Sequence, residues 1–315
     1  MELRQVKYLL AAVESGSLGK AASELGLATS ALSQQVSRLE SELSVRLLNR
    51  STTGVTPTQA GESCCAQMRL AMRHVDAAID AAKGARLSGS VALGLASTTS
   101  SILALPIIET MGSKYPGVRL KIVEGMSGHL ANMLKMRQID LAILFNQESV
   151  GFAGSEAIPL LDERLFLIGP DNENLPKSVS ENQWSTVGIS TLSDLPLILP
   201  SRGHGLRGSL DRAFTSLNIQ PNLSMEIDSL AVIMDAVAKG FGYTIQPSAA
   251  LTRISDGKLR VWSIADSNAY RTNLLASLPD RELSPAALAL RAQIRKNAAR
   301  LVREGKWIGA TLHDS

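Results

Sequence analysis

The chain has 315 residues, 45% of them hydrophobic and 19% charged, with a formal net charge of +3. Such composition excludes a disordered or collagen-like chain, and the length suits two or three domains of about 100–150 residues. No apolar run approaches the ~20 residues of a membrane-spanning helix, and Met1-Glu2-Leu3-Arg4 does not open a signal peptide. A cytoplasmic protein with no membrane partner is expected. The only cysteines, Cys64 and Cys65, are adjacent, which disfavours a stapling disulfide and favours helix packing.

Leu3, Val6, Leu9, Leu10 and Val13 form the apolar stripe of a first helix, stopped at Ser15-Gly16-Ser17. Ser17 can cap a second helix over 18–25, with Ala21, Ala22 and Leu25 inward and Gly26 at its end. Thr29 or Ser30 can cap a third helix running to Leu43, with Ala31, Leu32, Val36 and Leu39 on its apolar side. Helices two and three around Gly26 make a helix-turn-helix. Arg46–Arg50 and Ser51–Thr56 then read as a β-hairpin beside it, a wing, with Pro57 at the next helix start.

From Thr58 to Leu87 the chain contains no proline. Cys65, Met68, Met72, Val75, Ile79 and Ala82 recur at heptad spacing, which suits a paired linker helix. The alternative is a helix packed only on its own domain. Arg86–Ser90 reads as a hinge.

Beyond it, strands over 91–96, 119–123 and 140–145 alternate with helices over 100–115 and 127–137, a βαβαβ pattern with parallel strands. A weaker copy follows, with strands over 195–199, 223–227 and 242–246 and helices over 205–217 and 229–240. Ser97 precedes Glu124 by 27 residues and Ser201 precedes Asp228 by 27, so the spacing repeats. Two such units face each other across a cleft. A strand over 271–278 and a helix over 284–304 close the fold, and the stretch from Gly305 to Ser315 lacks periodicity and is expected to be mobile.

An enzyme is disfavoured. His74, His129, His204 and His313 form no metal-ligand spacing. Gly125-Met126-Ser127-Gly128-His129 lacks the second glycine of a nucleophile elbow, and no dinucleotide or Walker A glycine pattern is complete. No catalytic residue, metal or cofactor is expected. His204 reads first as a solvated loop histidine.

The third helix offers more. Its exposed side carries Thr29, Ser30, Ser33, Gln34, Ser37 and Arg38. Gln pairs bidentately with adenine, Ser reaches several base edges, and Arg suits phosphate or guanine. The alternative is a merely solvated face. Residues 1–65 hold six basic and six acidic side chains, so tight DNA binding calls for a dimer.

Residues 1–65 resemble the winged helix-turn-helix of LysR-type transcriptional regulators. The resemblance rests on Ser15-Gly16-Ser17-Leu18, Ala21–Leu25, Ser30–Glu40, Leu47-Leu48-Asn49-Arg50 and Thr56–Gly61, and it extends over the whole chain. Pro57–Gly61 and Gly89–Gly94 are similar to the subgroup that includes the nitrogen assimilation control protein. One departure, Gly19-Lys20, bears on a phosphate contact in helix two. The resemblance implies an α/β fold with an N-terminal α-rich winged helix-turn-helix (1–58), a linker helix and hinge (59–88), and an effector-binding domain (89–305). The last comprises two Rossmann-like subdomains of periplasmic-binding-protein type, 89–162 with 268–305, and 163–267, before a tail over 306–315. Implied DNA contacts are Ser17, Thr29, Ser30, Ser33, Gln34, Arg38, Arg50, Thr52 and Thr53. Implied partners are promoter DNA, a small-molecule inducer, a second copy through the linker helix, a homotetramer, and RNA polymerase. A stand-alone solute-binding protein or a small-molecule enzyme is the alternative.

In the cleft, Ser97-Thr98-Thr99-Ser100 ends a strand and opens a helix, where free backbone donors suit an anion. Ser201 and Arg202 take the equivalent place in the second unit, and Ser127 and Ser229 follow the next strand of each. An organic carboxylate or sulfonate is the expected inducer. The alternatives are plain helix capping by Ser97–Ser100 and a solvated loop charge at Arg202.

Overall fold

The computed structural model describes residues 1–82, 87–145, 155–170, 175, 184–202, 204–254, 259–265 and 269–313. Arg86 of the expected hinge, Gly203 of the cleft lip, the last two tail residues and the side chain of Ala82 lie outside the described residues.

Three helices open the chain: α1 (Leu3–Ser15), α2 (Leu18–Glu24) and α3 (Thr29–Glu42). Gly16 and Gly26 close α1 and the turn after α2 with φ of 64° and 66°. Ser17 caps α2 by accepting from the Lys20 amide. Neither Thr29 nor Ser30 caps α3; Ala28 stands at that position, and both hydroxyl residues fall inside the first turn. Strands β1 (Leu48–Ser51) and β2 (Gly54–Pro57) form the antiparallel wing, turned by Thr52-Thr53. Pro57 closes β2 opposite Leu48 rather than starting a helix, and α4 (Gln59–Ala82) begins two residues later. Thr58 supplies the cap, its hydroxyl accepting from the Gly61 amide at 3.0 Å. Gly61 lets α4 lie on the chain before the wing, because a Cβ there would stand 2.0 Å from the Leu47 carbonyl oxygen. Leu9, Leu32, Val36, Leu39, Leu47, Cys65 and Met68 share one core. The first part of the heptad stripe therefore packs on its own domain, whereas Ile79 is 47% exposed.

The first α/β unit holds β3 (Ser88–Leu95), α5 (Ser97–Lys114), β4 (Gly117–Glu124), α6 (Ser127–Lys135) and β5 (Leu141–Phe145). β3 lies between β4 and β5 and runs parallel to both. Next comes β6 (Glu156–Gly169), fourteen residues long and not foreseen from the sequence. Pro159 and the charged run Asp162-Glu163-Arg164 interrupt its pattern. The proline is accommodated where the pairing register shifts, between Asn273 and Leu274 of the neighbouring strand.

The second unit contains β7 (Thr186–Val187), β8 (Leu197–Leu199), α7 (Gly205–Ser216), β9 (Leu223–Glu226), α8 (Leu230–Ala238), β10 (Thr244–Pro247) and β11 (Arg260–Ile264). The chain returns through β12 (Tyr270–Ser277), α9 (Pro285–Arg303) and β13 (Ala310–Leu312). β6 pairs with β12 as far as Arg164, then with β10 and β11 from Leu165 onward, so it crosses from one core to the other. The expectation of a mobile tail is overturned: β13 pairs with Leu161–Glu163 of β6, and Trp307 is buried. A single tryptophan and three strand residues gave too short a pattern to read.

The linker helix is tied to the first unit. Arg73 pairs with Asp140, whose other oxygen accepts from the Ala92 amide at 2.8 Å. Arg69 donates to the Met136 carbonyl at 2.9 Å and stands 3.6 Å from Glu14 of α1. Among the described residues, no helix is long and apolar enough to cross a membrane.

Candidate DNA interface and effector cleft

The outward side of α3 carries Ser33, Gln34, Ser37, Arg38, Ser41 and Glu42 around a shallow depression of about 510 Å³. Thr29, Ser30, Gln34 and Arg38 are exposed, and Ser33 is half-buried. Arg50 of the wing folds over this helix, donating to Ser33 Oγ at 3.0 Å and Ser37 Oγ at 3.1 Å and pairing with Glu40 at 3.3 Å. Glu40 also accepts from the Leu47 and Leu48 amides at 2.8 and 3.0 Å, which fixes the wing against α3. Ser17, Thr52 and Thr53 flank the helix at the α2 start and the wing tip, the two threonines exposed. Glu40 was not foreseen as the wing's anchor, because a glutamate on a polar helix face reads as solvated.

The cleft is built where β6 and β12 cross between the units. Arg271 and Glu163 stand directly opposite in the strand register. Glu163 is fully buried, and its two oxygens accept six hydrogen bonds. The donors are Ser248 Oγ, the Ala249 amide, Trp307 Nε1, Arg271 Nε and Nη2, and Asn273 Nδ2. Arg271 also donates from Nη2 to Thr98 Oγ1 at 2.7 Å, and its guanidinium lies 3.6 Å over the Phe145 ring. Burial pushes the Arg271 pKa down, and Glu163 beside it pulls it back up. Arg271 Nη1 is buried without a hydrogen-bond partner.

Around this guanidinium the helices converge on their N-termini. α5 has Ala96 at its cap, with no side-chain cap bond, so Ser97–Ser100 do not act as caps. Instead Thr98 and Thr99 are buried, Thr99 Oγ1 reaching Asn273 Oδ1 at 3.5 Å, while Ser97 and Ser100 are half-buried. α6 likewise starts after an uncapping Met126, and Ser127 Oγ accepts from the Phe145 amide at 3.3 Å. From the second unit α7 meets it: a Cβ on Gly205 would stand 3.8 Å from Ser127 Oγ. His204 caps α7 through Nδ1, so its proton sits on Nε2. Burial lowers the His204 pKa, the nearby Arg271 charge lowers it further, and Asp228 opposes both, which keeps the ring neutral at pH 7.

Of the remaining expected residues, Ser201 adjoins this cluster, its carbonyl accepting from the His204 amide at 2.9 Å. Arg202 is exposed, and a second guanidinium, that of Arg271, is buried between the units. Ser201 donates its amide to Asp228 at 2.9 Å, and Ser229 is exposed and caps α8. Arg271 was missed because a charge near a strand end reads as solvent-facing. The available signal was a second charge, Glu163, at the centre of the Asp162-Glu163-Arg164 run inside another apolar strand. Cys65 is buried in the N-terminal core, and burial pushes its thiol up to about 11, which disfavours the reactive thiolate at neutral pH. Among the described residues no His, Cys, Asp and Glu cluster could hold a metal.

A helix-turn-helix with a wing, joined by a long helix to a two-unit α/β module, defines a DNA-binding regulator with a ligand-sensing domain. Residues 3–62 match "Bacterial regulatory helix-turn-helix protein, lysR family", and residues 84–299 match "LysR substrate binding domain". The chain belongs to the LysR family of transcriptional regulators and is not an enzyme. It is 32% identical over 296 residues to the nitrogen assimilation regulatory protein nac of Escherichia coli K12, covering 92% of this chain and 93% of that one. A full-length OxyR variant from Pseudomonas aeruginosa shares the fold, with a TM-score of 0.73 at 24% identity over 94% of this chain and 98% of that one. The effector-binding domain of QuiR in complex with shikimate aligns with a TM-score of 0.58 at 22% identity, over 68% of this chain and 99% of that one.

Proposed function

We propose that this regulator acts in the cytoplasm and responds to a small organic anion, a carboxylate or sulfonate, held between its two α/β units. One observation carries the reading: the polar groups left over in the cleft are donors. Arg271 Nη1 is unpaired. Thr98 Oγ1 and Ser127 Oγ each accept a hydrogen bond already, so their hydroxyl protons are free to donate. His204 Nε2 carries its proton, and the first amides of α5 have no helical partner. Glu163, the buried acceptor beside them, is saturated. A ligand with acceptors and negative charge complements such a set. Ser97, Thr99 and Ser100 belong to the same helix start, while Ser201, Arg202 and Ser229 form the outer lip. An anion touching both α5–α6 and α7 binds the closed cleft better than the open one, which is the differential affinity a switch requires.

The α4 helix pairs two copies, and two such dimers form the tetramer that reads promoter DNA and meets RNA polymerase. On DNA, Ser33, Gln34 and Arg38 enter the major groove, Thr29 and Ser30 meet the backbone at the helix start, and Ser17, Arg50, Thr52 and Thr53 flank them. Arg50 must then exchange its contacts with Ser33 and Ser37 for phosphate. Gln34→Ala is expected to reduce discrimination between promoter and random DNA by about 1–3 kcal/mol, whereas Arg38→Ala weakens both. Fluorescence anisotropy on both duplexes measures this. An unchanged specific-to-random ratio for Gln34→Ala removes that residue from base readout.

A further inference from the structure

A second concavity of the effector module lies where the outer face of α9 meets β6 and the C-terminal strand. It is an open groove of about 610 Å³, within the range of small-molecule sites. Its floor is apolar, made by Pro159 and Leu160 of β6 and Leu312 of β13. One wall is cationic: Lys296, Arg300 and Arg303 follow each other at helical spacing and are all exposed. Like charges at such spacing cost a helix a few tenths of a kcal/mol each. The helix C-terminus compensates some of that for Arg300 and Arg303, but not for Lys296 a turn earlier. Among the described residues, no carboxylate forms a close ion pair with any of the three, although the Glu304 charge also acts on Arg300 at longer range. Arg300 donates to the neutral Asn297 at 3.0 Å, and the acid lining the groove, Glu304, is taken by Lys306 at 2.8 Å.

We propose that this groove is a second ligand site, for an organic anion with an apolar body, separate from the cleft at Arg271. The acid group meets the cations of α9, and the body lies on Pro159, Leu160 and Leu312. The groove is also connected to β6, the strand that crosses from one core to the other. Leu312 pairs with Leu161 of β6, two residues before Glu163, and the chain leading into β13 is anchored by Trp307 Nε1 on Glu163 at 3.1 Å. A ligand there bears on the strand that joins the two units.

The test uses the full-length protein and 1-anilinonaphthalene-8-sulfonate, a fluorescent sulfonate with an apolar body, displaced by octanoate. Saturable binding is expected, weakened at least tenfold in Lys296→Glu/Arg303→Glu and unaffected by Thr98→Leu in the cleft. Lys296→Gln/Arg303→Gln should lose less, and an unchanged tryptophan-monitored unfolding curve shows that the variants fold. Four results overturn the proposal: equal binding in the groove variant, loss confined to Thr98→Leu, a changed oligomer mass in the groove variant, or displacement by polyglutamate but not octanoate. The third would make the groove a subunit interface, and the fourth a dock for an acidic protein segment.

Discussion

Glu163→Leu is expected to destabilise the effector module by about 3–5 kcal/mol, because it leaves the buried Arg271 guanidinium without its counter-charge. The same substitution strands Trp307 Nε1, the Ala249 amide and Asn273 Nδ2, which all donate to that carboxylate. Urea unfolding followed by tryptophan fluorescence isolates the effect, since Trp184, Trp262 and Trp307 all lie beyond residue 155 and none is in the DNA-binding region. Glu163→Gln keeps the acceptor oxygen but not the charge, and should fall between. The double variant Glu163→Leu/Arg271→Met should recover much of the loss, because removing both partners removes the uncompensated charge. A single variant within about 1 kcal/mol of the parent would mean that water reaches Arg271 and that the cluster is not dry.

Ile79→Asp is expected to abolish the dimer and, with it, tight promoter binding. In one chain Ile79 is 47% exposed on a helix whose earlier stripe, from Cys65 to Met68, is already buried in its own domain. Pairing through the later part of α4 would cover it, and a carboxylate there would be desolvated without a partner. Residues 1–65 hold balanced charge, so a lone DNA-binding domain has little electrostatic affinity to fall back on. Light scattering should report the monomer mass, and promoter affinity should drop more than a hundredfold. An unchanged mass would assign dimerisation elsewhere.

The helix-turn-helix was legible because its information is local. The apolar stripe of α1, the capping Ser17 and the left-handed Gly16 and Gly26 each lie within a few residues of what they control. The first βαβαβ unit was legible for the same reason, β5 being a continuous apolar run buried on both faces and β4 an alternating edge strand. What escaped reading is non-local. β6 has no readable pattern until β12 pairs with it across a bulge at Leu160, beside Pro159, and Arg271 looks solvated until the register sets Glu163 opposite it, 108 residues away in sequence. Arg202, by contrast, had the right charge at the right point of the repeat. Equivalence between the halves did not extend to burial: Thr98 and Thr99 of the first helix start are buried, whereas Arg202 is exposed.

The most direct test of the regulatory account is promoter binding by the full-length protein, measured during titration with a panel of small carboxylates, sulfonates and uncharged analogues, in parallel with Thr98→Leu. That side chain replaces a hydroxyl donor beside Arg271 with an apolar group and leaves α3 untouched. At least one acid is expected to shift the promoter affinity or footprint of the parent protein, its uncharged analogue to do nothing, and Thr98→Leu to bind promoter normally while ignoring the acid. A response to an uncharged compound alone, or an undiminished response in Thr98→Leu, would contradict an anion read between the two units.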